Sequence, residues 1–490
     1  MPEIPFLGPT YPSRSLNIEA DRSINLFPEL NPADAKDVIA MIGTPGTILF
    51  TSLPDGPVRG VHVFNNLMYV VAGANLYSVN AIGVISASLG ALTTNLGRVC
   101  MADNGLTSAG VGGNQLMITD GINGYILNVV TTAWTTIAGG GWPGNPLFVT
   151  YLDSYFIINH LGSMNIHVSN GFNGITWNAL ATAPVQASPD LLQCVINLHQ
   201  QLWCIKEYTT EVWYDAAVPV TIGSPFLRVP GAVLDVGTTA PWTVARGDNS
   251  IFFLANARGE GPGALIGVVE MSGYNHVVIS PPSINYQIHQ MATVADAFGY
   301  FYSMGGHSFY VITFPTGKAT YVYDTTTQMW HEWSMYKDAP YDYDRHFSNC
   351  YAFYNGKHYV GDFRNGNIYE MRSDVYTDNG NPIVAVRIAQ HQADKRELGN
   401  IIIHKLIVDA ETGVGLVGPA GVAPMAALAW SDDGGHTYSS DYAVAMGAMG
   451  EYKTRMVWRK LGRSRDRVFR LAMADPVKKV LIGAYIEATA

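Results

Sequence analysis

The chain has 490 residues, enough for two or three domains or one large β domain with a smaller companion. Its formal net charge of −10 excludes a general nucleic-acid binder. Only 14% of residues are charged, while 50 are Gly and 11% are aromatic, a balance that excludes a helical bundle and fits short strands joined by Gly/Asn/Asp turns.

Cys100, Cys194, Cys204 and Cys350 show neither Cys-x-x-Cys nor metal-finger spacing, and read as reduced, buried thiols. Met1 to Phe6 lacks the basic and apolar regions of a signal peptide. No apolar run approaches the roughly 20 residues of a membrane-spanning helix, so no membrane insertion is expected.

Residues 1–57 are rich in Pro (Pro2, Pro5, Pro9, Pro12, Pro28, Pro32) and weakly periodic, which predicts an extended N-terminal arm. Such an arm must lie on its own domain or on a neighbouring subunit. Arg22, Asn25 and Phe27 are its candidate contacts.

Residues 58–375 repeat one pattern: a turn, a short aromatic or β-branched strand, a Gly/Asn turn and another strand. Units start at Asn66, Asn114, Ser154, Gln201, Ser250, Gly299 and Lys357. A period of roughly 40–60 residues with about four strands each predicts the blades of an all-β propeller, seven in number. No such unit buries both faces alone, and ring closure leaves only short edges. A stack of β-sandwiches would give similar spacing.

Residues 376–490 change character. Ile401–Asp409 and Ala427–Ser431 read as strands around a Gly/Pro-rich loop from Gly413 to Pro424. Val457–Arg459, Val468–Met473 and Val480–Ile486 follow. This predicts a C-terminal β-sandwich.

Within it, Ser431, Asp433, Gly435, Thr437 and Tyr438 fit the Asp-box pattern Ser-x-Asp-x-Gly-x-Thr-aromatic. The Asp caps turn amides, Gly permits positive φ and the aromatic anchors the hairpin, so the motif is structural. Ser169 to Trp177 is a looser echo.

Basic residues concentrate nearby: Lys453 to Lys479 holds ten of the 29 Lys and Arg. Arg455, Arg459, Lys460, Arg463, Arg465 and Arg467 are candidate subunit-docking residues, with Arg463, Arg465 and Arg467 in a row if strand alternation continues. A solvated face laced with carboxylates, an acidic docking partner and packaged DNA are the three readings. The missing aromatic ladder weakens the last.

The 13 histidines form no His-x-x-x-His. His331, His346 and His358 sit among Trp and Tyr and read as packed. Tyr341 to Arg345 carries two carboxylates but lacks the ligands of a calcium loop. Gly105 to Gly113 is Gly-rich without a Lys, and no nucleophile motif is present. No enzyme, metal or cofactor is expected.

Three stretches, Ala20–Glu29, Ser108–Leu116 and Glu451–Ile486, together resemble one family. Val457-Trp458-Arg459-Lys460-Leu461-Gly462-Arg463 carries most of the likeness, and the spacing from Tyr376-Thr377-Asp378-Asn379-Gly380 to the end agrees. The family is the tail hub, or nozzle, protein of short-tailed bacteriophages, also labelled packaged-DNA stabilisation protein.

The resemblance implies a homo-hexamer that forms a ring beneath a portal-bound adaptor and extends the DNA exit channel. It implies help in retaining the genome, together with a plug or needle protein, and attachment of tailspikes or fibres. Genomic DNA would pass without sequence specificity. The site of action is the virion tail, assembled in the host cytoplasm. A carbohydrate-binding or sialidase-like propeller is the alternative, against which the arginines cluster outside the repeats. A surface adhesion protein is a third, set back by the missing signal peptide.

Overall fold

Two-residue turns set the rhythm of the first part of the fold. Asn65-Asn66, Asp153-Ser154, His199-Gln200, Asp248-Asn249, Gly305-Gly306 and Asn355-Gly356 each place two consecutive residues at positive φ. That backbone is the type I′ turn, whose twist matches two antiparallel strands, and Asn, Asp and Gly tolerate it best. Each turn joins the first two strands of a four-stranded antiparallel unit, four of which are separate sheets and two of which continue into larger ones. The structure is a computed structural model that describes residues 2–106, 112–257, 264–337, 341–394, 399–416 and 421–489. Residues 107–111 of the Gly-rich stretch and 417–420 of the later Gly/Pro-rich loop lie outside the described residues.

The sheets begin with Val58–Phe64, Cys100–Asp103, Pro146–Leu152, Leu192–Leu198, Ala245–Gly247, Phe298–Met304 and Ser348–Tyr354. Their second strands are buried almost end to end, as in Gln115–Thr119 and Ser250–Ala257. A strand buried on both faces must have neighbours on both faces, and successive sheets supply them. Val71 and Leu76 pack on Leu116 and Ile118. Met117 and Ile126 pack on Phe156 and Ile158, and Phe252 and Leu254 pack on Tyr310 and Ile312. Each fully buried side chain of this kind contributes about 1.5–3 kcal/mol. The chain forms a β-propeller.

The ring is closed by the N-terminal segment. Gly46–Ser52 pairs antiparallel with Asn367–Arg372 as the fourth strand of the last sheet. Met68, Val70 and Tyr77 of the first sheet then pack on Tyr354, Tyr359 and Ile368 of the last.

The second unit is a sandwich built from both ends of the chain. One sheet runs Arg22–Ile24, Ala385–Ile388, Asp466–Met473, Met425–Ser431, Tyr442–Ala445. The other runs Leu26–Leu30, Ile39–Gly43, Val480–Thr489, Ile401–Ala410, Met456–Ser464. Ile4, Phe6, Leu26 and Met41 share one core with Leu428, Met456, Trp458, Phe469 and Leu481. Residues 2–57 therefore hold four of the strands named here and lie on their own chain.

The two units are fused through one continuous sheet. Ile24 pairs in parallel with Glu332, on the outer strand of the sixth propeller sheet, while Arg22–Ile24 pairs antiparallel with Ala385–Ile388.

Candidate functional site

The expected arm contacts lie at this junction. Arg22 donates from Nε and Nη2 to the two carboxylate oxygens of Glu332, at 3.0 and 2.6 Å, a bidentate pair that raises the Arg22 pKa. Asn25 donates from Nδ2 to the carbonyls of Ser334 and Val384, both at 3.0 Å, and its Oδ1 accepts from Ser334 N. It stitches the propeller exit to the sandwich entry. Phe27 packs edge-on against His307 and Phe309.

A residue the sequence did not flag organises the segment before them. Arg387 is fully buried. Its guanidinium donates to the carbonyls of Phe6 (2.6 Å), Pro9 and Arg22 (both 3.3 Å), to Ser23 Oγ (3.0 Å) and to Asp21 Oδ1 (2.7 Å). Burial lowers the Arg387 pKa and raises that of Asp21, so each ion depends on the other.

The Asp-box turn is a closed local network. Asp433 accepts from Ser431 Oγ (2.6 Å), His436 N (3.0 Å), Thr437 N (2.9 Å) and Thr437 Oγ1 (2.6 Å). These bonds, the Ser431 hydroxyl first, hold its pKa well below the usual carboxylate range. Gly435 sits at φ +97 and its amide donates to Ser431 Oγ at 2.7 Å. Gly434, at φ +77, lies so close to the N-terminal segment that a Cβ would meet Asn17 Oδ1 at 1.9 Å. Tyr438 is half-buried, with the Arg470 guanidinium 4.1 Å from its ring centroid.

The unassigned position in the motif, Asp432, has its own role. Both of its oxygens accept from Arg467, at 2.6 and 2.7 Å, and Arg467 also donates to the Leu461 carbonyl. Arg467 is 1% exposed. It ties the turn to the sandwich core and is unavailable to a docking partner.

The expected row of Arg463, Arg465 and Arg467 does not form. Met456–Ser464 belongs to one sheet and Asp466–Met473 to the other, so the chain crosses the sandwich at Arg465 and alternation stops there. Arg455, Arg459, Lys460, Arg463 and Arg465 are all exposed. Met456–Ser464 is the edge strand of its sheet, where charged side chains also discourage unwanted pairing.

With the geometry in place, comparison with known proteins decides the family. The family model described as bacteriophage P22 Gp10, beta-propeller, matches residues 3–376, and the one described as bacteriophage P22 Gp10, beta-sandwich, matches residues 393–489. The chain belongs to the bacteriophage P22 Gp10 family. It is a phage structural protein of the packaged-DNA stabilisation class, and its place is the virion. No curated protein sequence matches it.

Solved structures resemble this member of the Gp10 family only distantly. Virginiamycin B lyase from Staphylococcus aureus is 10% identical over 67% of this chain and 98% of its own, with a TM-score of 0.42. The N-terminal domain of Nup159 is 8% identical over 72% and 98%, with a TM-score of 0.38. BamB from Moraxella catarrhalis is 10% identical over 71% and 96%, with a TM-score of 0.34. Likenesses this remote carry no argument about function.

The remaining residues singled out by sequence are internal to the Gp10-family fold. His331 packs beside Phe27 and Phe309, and His346 beside Trp333 and Phe347. Burial pushes both imidazoles down to about 3, so they are neutral at physiological pH. His358 bonds Tyr351 Oη at 2.9 Å. In the Tyr341 segment, Asp344 pairs with Lys337 at 2.9 Å and Tyr341 donates to Asp441.

Proposed function

We propose that this chain is the tail hub, or nozzle, of a short-tailed phage. In this reading it forms a homo-hexameric ring beneath the portal-bound adaptor and continues the DNA exit path. With a plug or needle protein it helps retain the genome, and it carries tailspikes or fibres on its flank. Its role is structural and involves no catalysis. The observation that carries the reading is the family match over both the propeller and the sandwich.

The exposed basic edge supports a docking role. Residues 453–490 carry ten Lys and Arg against only Asp466, Asp475 and Glu487, in a chain whose net charge is −10. The remainder of the molecule is therefore strongly acidic. Arg455, Arg459, Lys460, Arg463 and Arg465 are placed to meet the acidic surface of a neighbouring copy or of the adaptor.

DNA does not pass through the propeller itself in this reading. The axial cavity holds about 520 Å³. A cavity of that size is too small to admit a duplex, whose major groove alone is roughly 12 Å wide and 8.5 Å deep. The exit path lies between protomers, around the ring axis. The carbohydrate-binding alternative gains nothing from the Asp box, whose carboxylate is taken up by its own turn.

Electron microscopy of the purified protein, alone and mixed with portal–adaptor complexes, tests the proposal. A six-fold ring capping the adaptor is expected. Arg459→Glu with Arg463→Glu should slow association at least tenfold, with the wild-type rate falling steeply as salt rises. Monomers that ignore the adaptor would overturn the reading.

A further inference from the structure

The propeller axis holds a second feature, independent of assembly. The first strands of the sheets pair with another strand on one side only, so their other edges face the axis, where side chains such as Arg98, Arg246, Asn197 and Asn349 reach some of their carbonyls. Strands of the first six sheets enclose the cavity of about 520 Å³, within the range of small-molecule sites, about 300–1,000 Å³. Its charged and titratable lining side chains include His62, Arg98, Asp103 and Arg246.

The acidic member of this set is already committed. Asp103 Oδ2 lies 2.8 Å from His62 Nε2, and Oδ1 accepts from Gly105 N at 3.0 Å. The two arginines have no carboxylate partner among the described residues. They are nevertheless held in place by neutral acceptors. Arg98 donates to Asn349 Oδ1 at 3.1 Å and to the Asn349 carbonyl at 2.6 Å, and lies 4.0 Å over the Phe298 ring. Arg246 donates to Asn197 Oδ1 at 2.9 Å and to the Asn197 carbonyl at 3.2 Å. Arg98 Nε is buried with no protein acceptor among the described residues.

From this arrangement we infer that the axial cavity is a binding site for a small oxyanion, a molecule bearing a phosphate or carboxylate group, with Arg98 and Arg246 as its charged anchors. Fixed guanidinium forks suit such groups, because their planar donors match two oxygens at once and little side-chain entropy is lost on binding. Trp242, 5.7 Å from the Arg98 guanidinium and part of the lining, offers an apolar wall for the body of the ligand. Burial and the nearby Arg345 charge, in that order among the effects that lower it, bring the Arg98 pKa to about 10, the direction expected of a cation that lacks a counter-ion. A site of this kind places a soluble anion on the propeller axis of each protomer, away from the sandwich.

Isothermal titration of the full-length protein at low ionic strength, with inorganic phosphate and with citrate as separate probes, tests the site. Saturable binding of at least one probe below about 10 mM is expected, which is a free energy of about 3 kcal/mol. A preference for phosphate identifies a phosphorylated ligand, and a preference for citrate a carboxylated one. Arg246→Met, at an exposed position, should weaken binding at least tenfold without altering the melting temperature. Arg98→Met should abolish it. Absence of saturable binding by both probes overturns the inference. So does binding that Arg246→Met leaves unchanged, because the anion then sits elsewhere.

Discussion

Replacing Arg387 with Met should free the N-terminal segment while leaving the propeller folded. The substitution keeps an unbranched apolar stem but removes every donor that holds the carbonyls of Phe6, Pro9 and Arg22. It also leaves the Asp21 carboxylate, 6% exposed, without its counter-charge. Breaking one side of a buried ion pair costs about 3–5 kcal/mol. Global unfolding of so many sheets need not be two-state, so a local readout is preferable. Hydrogen exchange supplies one, through the amides of Thr10, Tyr11 and Asn25, which donate to Trp330, Asp21 and Glu332. At about 1.4 kcal/mol per tenfold, their exchange should accelerate by about two to three and a half orders of magnitude. Asp21→Asn added to Arg387→Met should recover part of the loss, since the stranded charge is then gone. Exchange at these amides within threefold of the parent would refute the assignment of Arg387 as the anchor of the segment.

Three further outcomes are expected. Lys206→Met removes the buried amine that pairs with Asp190 at 3.0 Å and Glu211 at 3.8 Å, the latter keeping Arg228 at 3.8 Å, and should cost about 3–5 kcal/mol, read as a fall in the urea midpoint. Lys479 is 4% exposed, and burial lowers its pKa to about 8, below the 10.5 of an unfolded lysine. The folded state is therefore penalised below pH 8 and relieved as pH rises towards 10.5, so Lys479→Met should stabilise by up to about 3 kcal/mol at pH 7 and by nothing above pH 10.5. A destabilised variant at pH 7 would contradict this. Asp433 has a depressed pKa, so its contribution is fully present above its ordinary value of 3.8 and is lost only as pH falls through the folded value. Asp433→Asn should raise exchange at the amides of His436 and Thr437 at neutral pH and leave the strands on either side protected.

The propeller was legible because its repeat is local. Units read as starting at Asn66, Ser154, Gln201, Ser250 and Lys357 begin at or just after a two-residue turn, where a short polar or Gly pair precedes a buried strand. The sixth start fell on Phe298–Met304, one strand early, because Tyr300 and Tyr302 in that strand resemble the aromatic residues of the strand after Gly305-Gly306. The N-terminal segment was opaque for the opposite reason. Its partners, Glu332, Asn367–Arg372 and Val480–Thr489, lie hundreds of residues away, and its prolines speak only of local backbone. Arg467 and Arg387 were misread or missed because a single-strand pattern does not say where a chain changes sheets. The Asp-box turn needed no tertiary information, and its hydrogen bonds close within seven residues, from Ser431 to Thr437.

The pairing of Ile42 with Val480 has a consequence for synthesis on the ribosome. The sheet that holds Leu26–Leu30 and Ile39–Gly43 waits for Val480–Thr489, far downstream in the chain. At about 5–20 residues per second, the interval is roughly 20–90 s, during which these hydrophobic edges have no partner from their own chain. The closing strand Gly46–Ser52 waits almost as long for Asn367–Arg372. A product truncated before Val480–Thr489 would leave these early edges open. Synthesis through Val480–Thr489 is thus a precondition for this sheet, and so for a subunit fit to join a particle.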